Sequence, residues 1–166
     1  MKISKDGVIE KIKKIPFFKE IKENDDYINQ IVGIIKVKRV NQGSSIIKEG
    51  ELGSELFILY EGNVEIQKKT RAGDNYTVVS LRAEDNVFFG EMCLIDDEKR
   101  SATVMSSTDT ILLVIRKEDF IQLGNNYPQI SLPITRAISQ ILSSRLRKTT
   151  EDMLTLFDAL VNEIKG

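Results

Sequence analysis

Two side chains of opposite charge, Glu91 and Arg100, stand nine residues apart in the stretch FFGEMCLIDDEKRSATV, Phe88–Val104. Gly90, just ahead of them, lets the backbone take a positive φ or approach a ligand closely. The apolar run Met92-Cys93-Leu94-Ile95 can wind into one short turn, whose leading amides would form an anion site. Arg100 opens a strand, where its planar fork can clamp a phosphate through two parallel hydrogen bonds. Asp96-Asp97-Glu98-Lys99 gives the chain room to turn back between them. A carboxylate beside a phosphate site needs a separate task, and accepting a hydrogen bond from a sugar hydroxyl suits Glu91. Taken singly, each residue has a plainer reading: Arg100 a solvated charge neutralising the acidic loop, Glu91 a carboxylate at a helix start, Gly90 an ordinary turn. Together they supply amides, a guanidinium, a carboxylate and an apolar floor, the components that hold a small organic phosphate.

Other chemistries lose their usual residues. Histidine is absent, which removes the commonest general base and the commonest metal ligand, so no metal site is expected. Cys93 is the single cysteine, which excludes an internal disulfide and a thiolate cluster. A cupin-type metal enzyme or a phosphodiesterase would commonly need histidine ligands, so the chain is read as a non-enzyme. With 24 basic against 25 acidic residues and 41% hydrophobic content, the composition is globular, neither disordered nor suited to a polyanion. Lysines interrupt the apolar positions of the first twenty residues. No signal-peptide core or membrane span can be drawn there or elsewhere, and a cytoplasmic protein with no membrane partner is expected.

The elements that must position this stretch divide one expected domain, 1–166, into three parts. Residues 1–35 form a helical lead-in: Val8, Ile9, Ile12 and Ile15 recur at helical spacing, Pro16 breaks the chain, and Asn24-Asp25-Asp26 can cap a second helix carrying Ile28, Ile31, Val32 and Ile35. Residues 36–116 contain VKRV, SIIKE, ELFILYEG, NVEIQKK, YTVVSL, NVFFGE, SATVMSS and TILLVIR, short β-rich runs punctuated by Gly43, Gly50, Gly53, Gly62 and Gly73 as turn residues. Such spacing predicts a mainly β fold, a sandwich, barrel or jelly roll. Residues 117–166 return to helical period. A short helix over Lys117–Gly124 with a glycine stop is followed by a loop at Asn125–Pro128 and a long helical region from about Ser131 to Ile164. Pro133 fits the first turn of a helix starting near Ser131, whereas a start at Pro128 would put it inside. Leu142, Leu146, Thr149, Met153, Leu156 and Leu160 form a coiled-coil-like seam. Thr149-Thr150-Glu151-Asp152 has the pattern of a fresh helix start, so one long helix and a break at Thr149 both remain open.

The stretch Phe89-Gly90-Glu91-Met92-Cys93-Leu94, a variable loop, then Arg100-Ser101-Ala102-Thr103-Val104 closely resembles the phosphate-binding cassette of cyclic nucleotide-binding domains. The resemblance extends upstream through Gly43–Glu51 and Leu56–Val64 to Ile15-Pro16-Phe17-Phe18, similar to that family's helical lead-in. Glu51 stands where Asp is usual, and Glu84-Asp85-Asn86 where a Gly-Asp turn is usual; both touch loop geometry more than ligand binding. The resemblance implies an eight-stranded antiparallel β-roll, a double-stranded β-helix or jelly roll, with N-terminal helices and a long C-terminal helix or helix pair. It implies that Glu91 accepts from a ribose 2′-hydroxyl and that Arg100 pairs with the exocyclic oxygens of a cyclic phosphate. Gly90 and the amides around Met92, Cys93 and Ala102 would complete the cradle, with Cys93 an inert apolar lining. In that family threonine at the position of Ser101 favours cGMP whereas alanine or serine usually accompanies cAMP, so the resemblance implies a lean toward cAMP over cGMP as the ligand.

The C-terminal region is similar to the long helix of catabolite activator-type regulators, in which two such helices dimerise and a hydroxyl pair reaches the adenine; Thr149 and Thr150 would supply that pair here. No recognition helix or basic patch precedes Gly166, and Arg145, Arg147 and Lys148 read as a solvated helix face, so direct DNA binding is not expected. The resulting expectation is a cyclic nucleotide-binding regulatory module, a possible homodimer through its C-terminal helix, passing its signal to a downstream protein effector. The alternative is a ligand-independent dimerisation module with a degenerate pocket.

Overall fold

The runs Leu56-Phe57-Ile58-Leu59 and Ile111–Ile115 show no polar alternation, the mark of strands covered on both faces. In the computed structural model they form β3 (Glu55–Glu61) and β8 (Thr110–Arg116), paired antiparallel with Leu56 opposite Ile115 and Ile58 opposite Leu113. β1 (Lys36–Val40) and β6 (Phe88–Phe89) complete a sheet of order β1-β8-β3-β6. β2 (Ser45–Ile47), β7 (Thr103–Ser106), β4 (Asn63–Lys69) and β5 (Asn75–Arg82) make a second sheet in that order, also antiparallel. Leu56, Ile58, Leu113 and Ile115 pack against helices, while Phe57, Leu59, Leu112 and Val114 meet Ile47, Val64 and Val104 between the sheets. These are the eight antiparallel strands of the expected β-roll. Residues 3–70 and 72–165 are described; Met1, Lys2 and Gly166, the outermost residues of the expected lead-in and terminal helix, and Arg71 lie outside them.

The helices cover the first sheet. α1 (Lys5–Lys14) starts where the Ser4 hydroxyl accepts from Gly7 N–H at 3.1 Å, and α2 (Asp25–Ile34) where Asn24 Oδ1 accepts from Tyr27 N–H at 3.1 Å. Between them Pro16–Phe18 makes a 3-10 turn that buries Phe17 and Phe18. Ile12, Phe17, Ile28 and Ile31 share one core with Phe120 and Leu123 of α3 (Lys117–Asn126) and Ile130, Ile134 and Ile138 of α4 (Pro128–Lys165).

The C-terminal helices differ from the sequence expectation in two places, at Gly124 and at the start of α4, and settle one alternative left open, at Thr149. α3 runs through Gly124, which serves close packing: a Cβ there would lie 2.8 Å from Ser131 Oγ, so the two helices approach where a side chain is missing. α4 begins at Pro128 and takes in Pro133. An interior proline costs about 3 kcal/mol, whereas each of Ile130, Ile134 and Ile138 contributes about 1.5–3 kcal/mol by burial, and packing wins. Of the two alternatives at Thr149 the helix is unbroken, and Thr150 Oγ1 donates back to Leu146 O at 3.0 Å within it and caps no new helix.

Candidate functional site

The two residues of β6 point to opposite faces. Phe88 joins the helical core and meets the Phe17 ring edge-on at 4.7 Å, while Phe89 stacks on Phe57 at 5.4 Å between the sheets. Gly90 then turns the chain with φ +75°, where a Cβ would also stand 3.0 Å from Glu55 O, so both conformation and space call for glycine. The 3-10 turn Glu91–Leu94 follows and carries Glu91 inward, leaving the residue 3% exposed. An ionised carboxylate so buried needs partners.

Its partner comes from α4: Arg145 Nη1 donates to Glu91 Oε1, and the guanidinium sits 5.9 Å from the centroid of the Phe88 ring. Arg145 keeps the exposure that its reading as part of a solvated helix face with Arg147 and Lys148 implies, but its guanidinium has a specific partner in Glu91. Its signal was present in the sequence, one helical turn ahead of Thr149, but its partner lies 54 residues away along the chain.

Arg100 is held by the backbone around it. Its Nη2 donates to Glu55 O at 2.7 Å and its Nη1 to Gly90 O at 3.2 Å. Its amide donates to Glu51 O at 2.8 Å while its carbonyl accepts from Gly50 N–H at 2.9 Å, which ties it to the β2–β3 loop. These contacts use part of the five N–H donors of a guanidinium and leave others for a ligand. Lys117, at the start of α3, anchors the variable loop by donating to Asp96 O at 2.8 Å and Asp97 Oδ1 at 2.7 Å.

Glu91, Arg100 and Arg145 line a cavity of about 680 Å³, within the range that takes a small organic molecule. Gly90, Met92, Cys93, Ser101, Ala102 and Thr149 line it as well, so eight of the nine expected site residues come together there. Thr150 does not line it; it is exposed, with its hydroxyl turned to Leu146 O. Ile66, Val78, Val79 and Leu81 of β4 and β5 add an apolar wall. Burial pushes the Cys93 thiol up from its ordinary range, with Arg100 opposing the shift, so it stays a neutral lining group. Among the described residues no cluster of three or more Cys, Asp, Glu or His is placed to hold a metal ion. No helix among them is long and apolar enough to cross a membrane.

The profile of the cyclic nucleotide-binding domain matches residues 37–127, more than half of the chain. The chain is 32% identical over 107 residues to cGMP-dependent protein kinase 2 of Homo sapiens, covering 64% of this chain and 14% of the kinase. It is 29% identical over 124 residues to the cyclic AMP receptor protein of Thermus thermophilus, covering 74% of this chain and 55% of the receptor. It therefore spans less than two thirds of these relatives. The crystal structure of Thermus thermophilus catabolite activator protein superposes with a TM-score of 0.74 at 26% identity, covering 85% of this chain and 62% of that one. The matched segment contains β4, β5, β6, the Glu91 turn and Arg100, all of which contribute to the cavity wall; the chain belongs to the cyclic nucleotide-binding domain family.

Proposed function

We propose that this chain is a non-enzymatic cyclic nucleotide receptor of the cytoplasm that favours cAMP over cGMP and relays occupancy through α4 to a protein effector. The observation that carries it is the buried Glu91 carboxylate facing the same cavity as Arg100, with its counter-charge supplied by a side chain of α4. Glu91 would accept from the ribose 2′-hydroxyl, and Arg100 would take the exocyclic phosphate oxygens, with amides around Met92, Cys93 and Ala102 completing the cradle. The ribose hydroxyl would then compete with Arg145 for one carboxylate. Binding that loosens this pair changes the arrangement of α4 that the protein favours, which is what a relay requires. Thr149, on α4 and at the cavity wall, would face the base, and Ser101 supports the lean toward cAMP.

Downstream of the cavity, α4 leaves Leu146, Met153, Leu156 and Leu160 more than half exposed along one seam. That stripe supports a homodimer through α4, with Thr150 on the side available to a second helix. Calorimetric titration with cAMP and with cGMP tests the receptor reading: micromolar or tighter binding of either is expected, and no binding of both to folded, nucleotide-free protein would overturn it.

A further inference from the structure

Gly53 was expected to be a turn glycine, yet its φ lies outside the left-handed region that Gly43, Gly50, Gly62 and Gly73 occupy. Conformational freedom is therefore not what the position requires. What it lacks is a Cβ, and the space a Cβ would take is filled by the guanidinium of Arg100. A methyl group built there would overlap Nε and stand 2.7 Å from Nη2 and 2.8 Å from Cζ, closer than real Cβ contacts come. Gly90 limits the same group from Nη1, at 2.8 Å. The two hydrogen bonds to Glu55 O and Gly90 O fix the plane of the fork once it lies in that slot.

We infer that Gly53 is a positioning residue for Arg100: its missing side chain is the seat that sets where the guanidinium meets a phosphate. The inference rests on the receptor reading given above. A second cavity, of about 160 Å³, lies on the Gly53 side and is lined by Leu52, Gly53, Glu55 and Arg100, and Arg100 lines the large cavity too. A guanidinium pushed from its seat thus has room to move, so a methyl at position 53 displaces the fork and leaves the fold standing. Misplacing a reacting or clamping group by about 1 Å can cost a hundredfold.

The test compares Gly53→Ala with Gly33→Ala, a control at a glycine with nothing within 4 Å of an added Cβ. The guanidinium resonances of Arg100, assigned by their loss in Arg100→Lys, should move in Gly53→Ala and stay in place in Gly33→Ala; unmoved resonances in Gly53→Ala overturn the seat without reference to any ligand. Affinity for whichever of cAMP and cGMP the wild type binds should fall about tenfold or more in Gly53→Ala and stay within about twofold in Gly33→Ala. Wild-type affinity in Gly53→Ala would overturn the inference as well. A wild type that binds neither nucleotide sinks the receptor reading instead, and the resonances then judge the seat alone. Should Gly53→Ala fail to fold, the same change in an Arg100→Ala background folds on this account, because the clashing group is gone; failure there too contradicts it.

Discussion

Arg145 of α4 donates a charged hydrogen bond to Glu91 of the cassette turn, joining a side chain that is 55% exposed to one that is 4% exposed. The asymmetry decides which partner depends on the other. A guanidinium at the surface is well solvated without help, whereas a carboxylate inside the cavity is not.

Arg145→Gln should therefore destabilise the ligand-free protein by about 1–3 kcal/mol, the cost of a buried acceptor left poorly satisfied. Because the competitor for Glu91 is gone, cyclic nucleotide affinity should hold or improve, while the ligand-driven change in amide exchange along α4 should shrink. Denaturant titration and hydrogen exchange with and without nucleotide read both effects. A tenfold weaker binding would show that Arg145 serves the ligand directly.

Glu91→Ala removes the proposed acceptor for the ribose hydroxyl. A hydrogen bond to a charged group contributes about 1.5–3 kcal/mol, so affinity for the cyclic nucleotide should fall about tenfold to a hundredfold. The same substitution should leave the affinity for a 2′-deoxy cyclic nucleotide nearly unchanged, which separates this role from general damage to the pocket.

How much of this was legible in the residues follows from how local each feature is. The cassette is contiguous, and its order of glycine, carboxylate, apolar turn and arginine is set within fifteen residues of chain, so all seven expected site residues inside it line the cavity, while of the two on α4 only Thr149 does. The doubly buried strands announce themselves by composition, since Leu56–Leu59 has no polar face to offer water. What stayed hidden depends on distant packing. Arg145 looks like any solvated arginine until Glu91 arrives beneath it, and Gly53 and Gly124 look like turn and stop signals until Arg100 and Ser131 occupy the space of their absent side chains. The Thr149–Asp152 pattern suggested a helix start because local sequence does not show that Thr150 bonds backward to Leu146.

The lead-in is part of the same core, and Phe17 shows how closely: it is 2% exposed and meets Phe88, the residue next to Phe89 in β6, edge-on. Phe17→Ala should cost about 3–5 kcal/mol in denaturant unfolding. It should also weaken ligand binding, because Phe88 leads directly into Gly90 and Glu91. Loss of stability without loss of affinity would separate the lead-in from the site.

Along α4, Leu156 is 72% exposed on the seam with Leu146, Met153 and Leu160. Leu156→Lys should abolish self-association in sedimentation and leave both the far-ultraviolet spectrum of the β-roll and the affinity of the cavity intact. Unchanged sedimentation would place the dimer contact elsewhere or remove it.

Burial raises the Cys93 thiol above its ordinary pKa of 9.0. A group whose folded pKa is raised keeps its stabilising contribution below the unfolded value and loses it as pH rises through the folded one. Stability should thus decline from about pH 9 upward by this route, less so in Cys93→Ala. At neutral pH the native thiol should resist alkylation that labels the unfolded chain within minutes; equal labelling of both would contradict the buried, neutral assignment.

The central claim is that Arg100 receives a cyclic phosphate in this cavity, and calorimetric titration of nucleotide-free wild type and Arg100→Ala with cAMP and cGMP tests it most directly. The account predicts micromolar or tighter binding of at least one nucleotide, weakened by roughly 2–5 kcal/mol, about thirtyfold or more, when the guanidinium is removed. An Arg100→Ala protein that binds as tightly as wild type would contradict it.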